Sequence, residues 1–189
     1  VKLRNILNFL PLVLVGIGTI GFLGWEKSDR NQFPRTDAPP LSERWYVSKI
    51  SDGATLTVRQ EDGSEMKIRL CGIDAPERSQ PLGRESTENL RSLIQQTNGE
   101  VQVVPVEKDR YGRTIAEIFT VIGNQEKLLN AEQLISGNAY LYKEYVKNCP
   151  NKLPLETAEE IAREKHLGVW NGNHVKPWDH RRLKRSSWE

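Results

Sequence analysis

The sequence predicts a small α+β domain built on short strands. Three observations point there. Between residues 45 and 121, short stretches alternate apolar and polar positions and are separated by Asp- and Gly-containing turns. A stretch of helical periodicity, 83–97, interrupts the strands after the third. Two more helical stretches follow the last strand. At 189 residues the chain has room for one ordinary domain plus appendages. A hydrophobic share of 37% and a net charge of +2 suit a domain that is soluble in bulk, and give no argument for nucleic acid by themselves.

The chain begins with Lys2 and Arg4, followed by twenty uncharged positions, 6–25, ending at Trp25. That length matches a bilayer-spanning helix of about 20 residues with an interfacial aromatic. The preceding cations put the N-terminus in the cytoplasm and the remainder outside. The expectation is an uncleaved membrane anchor. The competing reading is a cleaved signal peptide releasing a secreted domain, although the apolar run is long for one and lacks an A-x-A site. Residues 26–43 mix both charge signs with Pro34, Pro39 and Pro40, as a linker does.

The domain proper is expected over 44–172. Trp45–Ile50 reads as a strand, Ser51-Asp-Gly53 as a turn and Ala54–Val58 as a second strand. Asp62-Gly63 marks a hairpin. Met66, Ile68 and Leu70 share one face of the third strand, with Arg69 and Cys71 on the other. Leu90, Leu93 and Ile94 form the apolar stripe of the first helix. Val101–Val106 and Thr114–Val121 are two more strands. Leu128–Ser136 is a second helix closed by Gly137, and Leu155–Lys165 a third with Leu155, Ala158, Ile161 and Ala162 inward. Five strands with a helix between the third and fourth fit a five-stranded OB-fold β-barrel with three packed helices; periodicity alone supports only a small β-rich α+β domain, and the step to the barrel leans on the motifs below. The last stretch, 173–189, reads as a basic tail containing Lys176, Arg181, Arg182, Lys184 and Arg185. Such a tail is usually a solvated end; phosphates or an anionic membrane surface are the alternatives.

Cys71 and Cys149 lie in no CxxC pair or His/Cys cluster, which argues against zinc. They are two buried thiols or, outside the cytoplasm, one intramolecular disulfide.

Three charged stretches can carry chemistry: Asp52-Gly-Ala-Thr55, Arg69-Leu-Cys-Gly-Ile-Asp-Ala-Pro-Glu77 and Asp109-Arg-Tyr-Gly-Arg113. Each alone is weak, since acids around a proline often cap turns and arginines often pair at surfaces. In this order, and with Leu129-Asn130, Gly137-Asn-Ala-Tyr-Leu-Tyr142, Ala158-Glu-Glu-Ile-Ala-Arg and Gly168-Val-Trp170 downstream, the chain resembles the staphylococcal-nuclease-like (thermonuclease) family, in its membrane-anchored bacterial form. The resemblance covers roughly residues 44–172.

The resemblance implies a metal-dependent endonuclease/exonuclease, a hydrolase acting on DNA and RNA with little sequence specificity and leaving 3′-phosphates. It implies that Arg69 and Arg113 hold the phosphate and that Glu77 is the general base. Asp74 and the Ala75 backbone carbonyl would bind Ca²⁺, with Asp52 nearby as an indirect contributor. The residue types suit the reaction: guanidiniums fork onto phosphoryl oxygens, and a carboxylate takes a proton from water. Arg110, Tyr111 and Tyr142 are expected to touch nucleic acid, with Tyr111 either stacking on a base or covering the barrel.

One departure matters. The family's Asp-Gly-Asp-Thr reads Asp52-Gly-Ala-Thr55, so Ala54 stands where a metal-binding carboxylate is expected. Calcium would then bind more weakly, Mg²⁺ or Mn²⁺ would compete, or the metal site is lost and a non-catalytic nucleic-acid-binding module remains. A membrane-tethered structural scaffold is a third reading. The protein is expected to act as a monomer in an extracytoplasmic compartment, the periplasm or the cell surface.

Overall fold

The Asp and Gly turns are where the chain reverses. In the computed structural model, which describes residues 44–186, β1 (Trp45–Asp52), β2 (Thr55–Arg59) and β3 (Glu65–Leu70) form an antiparallel meander. At the β2–β3 turn, Gly63 has a φ of +89° and the Ser64 N–H donates to Asp62 Oδ1 at 2.8 Å. A two-residue strand, β4 (Ile73–Asp74), follows, then α1 (Gly83–Gln95). β5 (Glu100–Lys108) and β6 (Thr114–Ile122) form the second hairpin. β5 pairs with β1, and β6 runs parallel to β3 with Ile68 opposite Thr114 and Leu70 opposite Ala116. The circuit β1-β2-β3-β6-β5-β1 is therefore closed. This is the expected five-stranded OB-fold barrel, with its edges removed by closure.

Leu56, Val58, Ile68, Leu70, Ile118 and Phe119 belong to the buried core on the two faces of these strands. Leu90 and Ile94 of α1 are buried against it, and Leu93 packs at its margin. β7 (Gln125–Leu128) extends β6 as a hairpin and leads into α2 (Leu129–Ile135). The end of α2 is the expected glycine cap. Gly137 has a φ of +71°, its N–H reaches Leu134 O at 2.9 Å, and the Asn138 N–H reaches Gln133 O at 2.8 Å. β8 (Tyr140–Leu141) pairs with β4, placing Asp74 opposite Tyr140. The short α3 (Lys143–Val146) precedes α4 (Lys152–Glu164), and a single 3-10 turn spans Gly168–Trp170.

The structure departs from the expectations in four places. β4, β7, β8 and α3 are additions, each too short to show a period. α4 starts three residues before the expected Leu155. Ile161 is only half-buried; Glu159 is turned inward instead, because its Oε1 accepts the Leu141 N–H at 2.7 Å. Finally, Pro177–Ser186 of the basic stretch is a helix, α5, rather than a solvated end. Pro177 is buried, and Trp178 stacks on Tyr142 with ring centres 5.4 Å apart and planes at 11°. Among the described residues no helix is long and apolar enough to cross a membrane. The anchor or leader at 1–25 and the linker at 26–43 lie outside the described residues.

Two links hold the segment between β3 and β4 on the barrel. The buried Asn130 accepts the Ile118 N–H on Oδ1 at 3.0 Å and donates from Nδ2 to Cys71 O at 2.9 Å. Cys71 and Cys149 form a disulfide, with Cα atoms 5.9 Å apart and a sequence separation of 78. Beside it, Gly72 has a φ of +73°, and a Cβ there would lie 2.9 Å from Cys149 Sγ. Closing so long a loop restricts the unfolded chain. The double substitution Cys71→Ser, Cys149→Ser should cost roughly 2–5 kcal/mol, read from chemical denaturation under oxidising conditions. Under reducing conditions the difference from the parent should largely disappear.

Candidate active site

The site is built where β3 leaves the barrel. The apolar alternation of β3 turns Arg69 away from the core, and the tight Cys71-Gly72 segment delivers Ile73 and Asp74 to β4. Arg69 Nη2 donates to Ile73 O at 3.2 Å and to Asp74 Oδ1. Arg69 Nη1 also lies 4.0 Å from Asp52 Oδ1. Asp52 spends that same oxygen on its own turn, accepting the Ala54 N–H at 2.8 Å. Ala54 is fully buried and Ala75 nearly so.

Three residues after Asp74, Glu77 opens to the surface. Its N–H donates to Gln80 Oε1 at 2.9 Å, and its carbonyl accepts the Gln80 N–H at 2.8 Å. Gln80 therefore fixes the turn that carries Glu77.

The β5–β6 turn supplies the second guanidinium. Asp109 Oδ1 accepts the N–H groups of Tyr111 and Arg113, each at 2.9 Å, and Oδ2 accepts Arg113 Nε at 2.7 Å. Gly112 makes the reversal at φ +78°. Burial raises the Asp109 pKa, but the hydrogen bonds and charge of Arg113 and the Tyr111 N–H outweigh it, so the net shift is downward. Arg110 and Arg113 both lie over the Tyr111 ring, at 4.9 and 5.6 Å from its centre. The ring itself is 70% exposed.

Asp52, Arg69, Glu77 and Arg113 line one cleft of about 1340 Å³, with Arg110, Tyr111 and Tyr142 also on its walls. The structure thus brings together the residues expected to act on a phosphate. Tyr142 differs from a free stacking platform, because Trp178 covers one ring face and Tyr145 lies 4.6 Å away, tilted. Tyr140 is buried at the cleft wall, edge-on to Trp170 and Trp178, and donates from its hydroxyl to Val169 O at 3.2 Å.

Arg181 of α5 was not anticipated. Its Nη2 donates to Asp74 Oδ2 at 2.6 Å. Its Nη1 donates to Glu77 Oε1 at 2.7 Å and to Asp74 Oδ1 at 3.2 Å. Burial lowers the Arg181 pKa, but the bonds and charges of the two carboxylates more than reverse this and raise it above the ordinary guanidinium value. α5 is tied to the Glu77 turn upstream as well, since Gln80 Nε2 donates to Val175 O at 2.8 Å. The sequence carries a signal for this contact: Trp178, Arg181, Arg182 and Arg185 fall at i, i+3, i+4 and i+7, one face of a helix.

This geometry tests the expected metal. Asp74 is the fully buried acid of the set, and both of its oxygens are engaged by guanidiniums. Glu77 gives one oxygen to Arg181, and Ala54 offers no carboxylate. Among the described residues no group of three His, Cys, Asp or Glu side chains could hold a metal ion. The donors as arranged do not fit a divalent cation.

A closed OB barrel that brings two arginines and a carboxylate to one cleft is suited to an anionic phosphodiester. The comparisons with known proteins agree. The sequence model of the family described as Staphylococcal nuclease homologue matches residues 67–172. An "Uncharacterized endonuclease" of Haemophilus influenzae is 38% identical over 140 residues, covering 74% of this chain and 73% of that protein. A "Micrococcal nuclease" of Shigella flexneri is 34% identical over 150 residues, covering 76% and 83%. "Staphylococcal-like nuclease CAN1" of Arabidopsis thaliana is 33% identical over 122 residues, covering 64% and 35%. The chain belongs to the staphylococcal nuclease homologue family, a family of nuclease-type hydrolases that typically depend on a metal ion.

Asp109 offers a pH test. A lowered folded-state pKa contributes stability that is complete above the unfolded value, about 3.9, and is lost as pH falls through the folded value. Asp109→Asn should therefore be less stable than the parent at neutral pH, by about 1–3 kcal/mol for the charged bonds lost. The gap in melting temperature should narrow below about pH 4 and close in stronger acid. A gap that does not change with pH would mean that the charge on Asp109 does not organise the turn.

Proposed function

We propose that this protein hydrolyses phosphodiester bonds in DNA and RNA with little sequence specificity, leaving 3′-phosphates. The observation that carries the reading is the meeting of Arg69, Glu77 and Arg113 on one cleft. A phosphodiester is anionic and repels a nucleophile until its charge is offset. Arg69 comes from β3 and Arg113 from the β5–β6 turn, and they bracket the phosphate, stabilising the charge that grows on its equatorial oxygens. Glu77 takes a proton from a water, whose oxygen attacks phosphorus. The bond from phosphorus to the 5′ oxygen breaks, and that oxygen leaves as a hydroxyl after gaining a proton from solvent. Arg110 and the exposed Tyr111 sit at the cleft rim, suited to the backbone and bases of a flexible strand.

For Ca²⁺, which the family relationship suggests, or Mg²⁺ or Mn²⁺ in its place, Asp74 has both oxygens engaged by arginines and Glu77 has one. The disulfide supports an oxidising compartment, and with the N-terminal apolar run it supports an extracytoplasmic enzyme held at a membrane. We take the working unit to be a monomer, since all the named site residues come from one chain.

Ala54 favours a second reading, a nucleic-acid-binding module without catalysis. Single-stranded DNA incubated with the protein in EDTA, Ca²⁺, Mg²⁺ or Mn²⁺ separates the two. Cleavage under any of these conditions eliminates the binder; retention without cleavage in all four eliminates the enzyme. Glu77→Gln should fold with nearly the parent's melting temperature and lose roughly 10²–10⁴-fold in rate. Equal rates for variant and parent would remove Glu77 from its role.

A further inference from the structure

Three guanidiniums, not two, reach this site, and the third comes from the far end of the chain. Arg181 lies where a cation would have to lie to bridge Asp74 and Glu77. Its three hydrogen bonds to these acids use three N–H groups. A guanidinium carries five, so Nε and one N–H on Nη2 remain for an oxygen of the substrate. The acid that would complete a metal site is replaced by Ala54, while a cation is added. Asp74 and Glu77 are then balanced by Arg69 and Arg181, leaving no net charge to attract a divalent ion.

We propose that Arg181 is a catalytic residue that takes the place of the metal ion. On this view α5 is a fixed wall of the substrate cleft, and cleavage proceeds without a divalent cation. The inference rests on the nuclease reading above and deepens it. Two observations separate a wall from a plug. The cleft of about 1340 Å³ persists with α5 docked, and Arg181, Arg182 and Arg185 line it together with Arg69, Glu77 and Arg113. Arg181 also engages Glu77 through Oε1, which leaves Oε2 to take the proton of the attacking water. The docked face is the stripe Trp178, Arg181, Arg182 and Arg185, so the stacking of Trp178 on Tyr142 sets the register that brings all three arginines to the cleft. Arg182 is braced by Asp179 at 2.9 Å.

The test uses the full chain in detergent, with an end-labelled single-stranded DNA as substrate. The parent should cleave in excess EDTA, and added calcium should change the rate little. Arg181→Gln should be slower by roughly 10²-fold or more in EDTA, as for loss of a preorganised donor. Arg181→Lys keeps the charge without the fork and should fall between the two. A parent that stops in EDTA and recovers with calcium overturns the proposal. So does an Arg181→Gln variant as fast as the parent or faster, the outcome expected of a plug.

A second readout does not depend on activity. Millimolar calcium should leave the melting temperature of the parent unchanged and raise that of Arg181→Gln, in which the carboxylate pair is freed for a cation. An equal calcium-induced rise in both proteins overturns the proposal. Absence of cleavage by the parent in every ion would sink the nuclease reading; the calcium titration would still decide whether Arg181 holds the cation's place.

Discussion

The buried carboxylate of Asp74 is the constraint on which the rest of the site depends. A carboxylate with no exposure is costly unless it is paired and hydrogen-bonded. Here it is clasped from two sides, by Arg69 five residues before it and by Arg181 107 residues after it. The planar fork of arginine suits this, because two N–H groups meet two carboxylate oxygens without distortion. Removing either arginine leaves the acid half-satisfied, and removing the acid leaves two guanidiniums facing each other. Each partner is therefore tied to the others far more tightly than a surface ion pair would be.

The scaffold makes that clasp possible by fixing the chain just ahead of Asp74. Cys71 is held three times. Its N–H donates to Ala116 O at 2.8 Å, its carbonyl accepts from Asn130, and its sulfur is bonded to Cys149. The barrel, α2 and the segment before α4 thus converge on one residue. Gly72 beside it adopts a backbone conformation that few side chains tolerate and leaves space for the disulfide. Asp74 then pairs with Tyr140 across β4 and β8. The position of the carboxylate is set by covalent, hydrogen-bonded and strand contacts, while Glu77 lies on a more exposed turn held by Gln80. A rigid acid next to a more exposed base suits a site in which one group organises charge and the other moves a proton.

What was legible in the sequence is what depends on local pattern. β1 to β3 and the β5–β6 hairpin show as short runs rich in apolar and β-branched residues, and Asp62-Gly63 marks a strand reversal while Gly137 marks the end of α2, each with its glycine at positive φ. Arg69, Asp74, Glu77 and Arg113 were legible through the family resemblance that three charged stretches carry together, each being weak alone. Three features were not. The β4–β8 ladder is two residues long on each side and is specified by the strands around it. Glu159 reads as an exposed helix residue, yet is drawn in by a backbone N–H of another element. α5 is dominated by its charges, so its composition resembles a solvated tail. What orders it is the meeting of Trp178 with Tyr142 and of Arg181 with Asp74, contacts between segments far apart in sequence.

The exchange at the site follows from electrostatics. A divalent ion gains from each added carboxylate and loses from each nearby guanidinium. In the proposed arrangement Ala54 offers no carboxylate and Arg181 brings a guanidinium, so both act against a divalent ion. Either alone would be awkward. An alanine without the arginine would leave Glu77 without a cationic partner at Oε1 and Asp74 with Arg69 as its one ionic partner. An arginine without the alanine would leave an additional acid near a site already supplied with cations. Ordering α5 costs conformational entropy. The burial of Pro177, the stacking of Trp178 and the Gln80 contact to Val175 offset that cost at points outside the Arg181 contact itself. A tethered cation, unlike a bound ion, does not depend on the concentration of anything in solution. Its strength is set by how firmly the helix is docked, which places the aromatic contact of Trp178 and Tyr142 in the same physical unit as the charges it delivers.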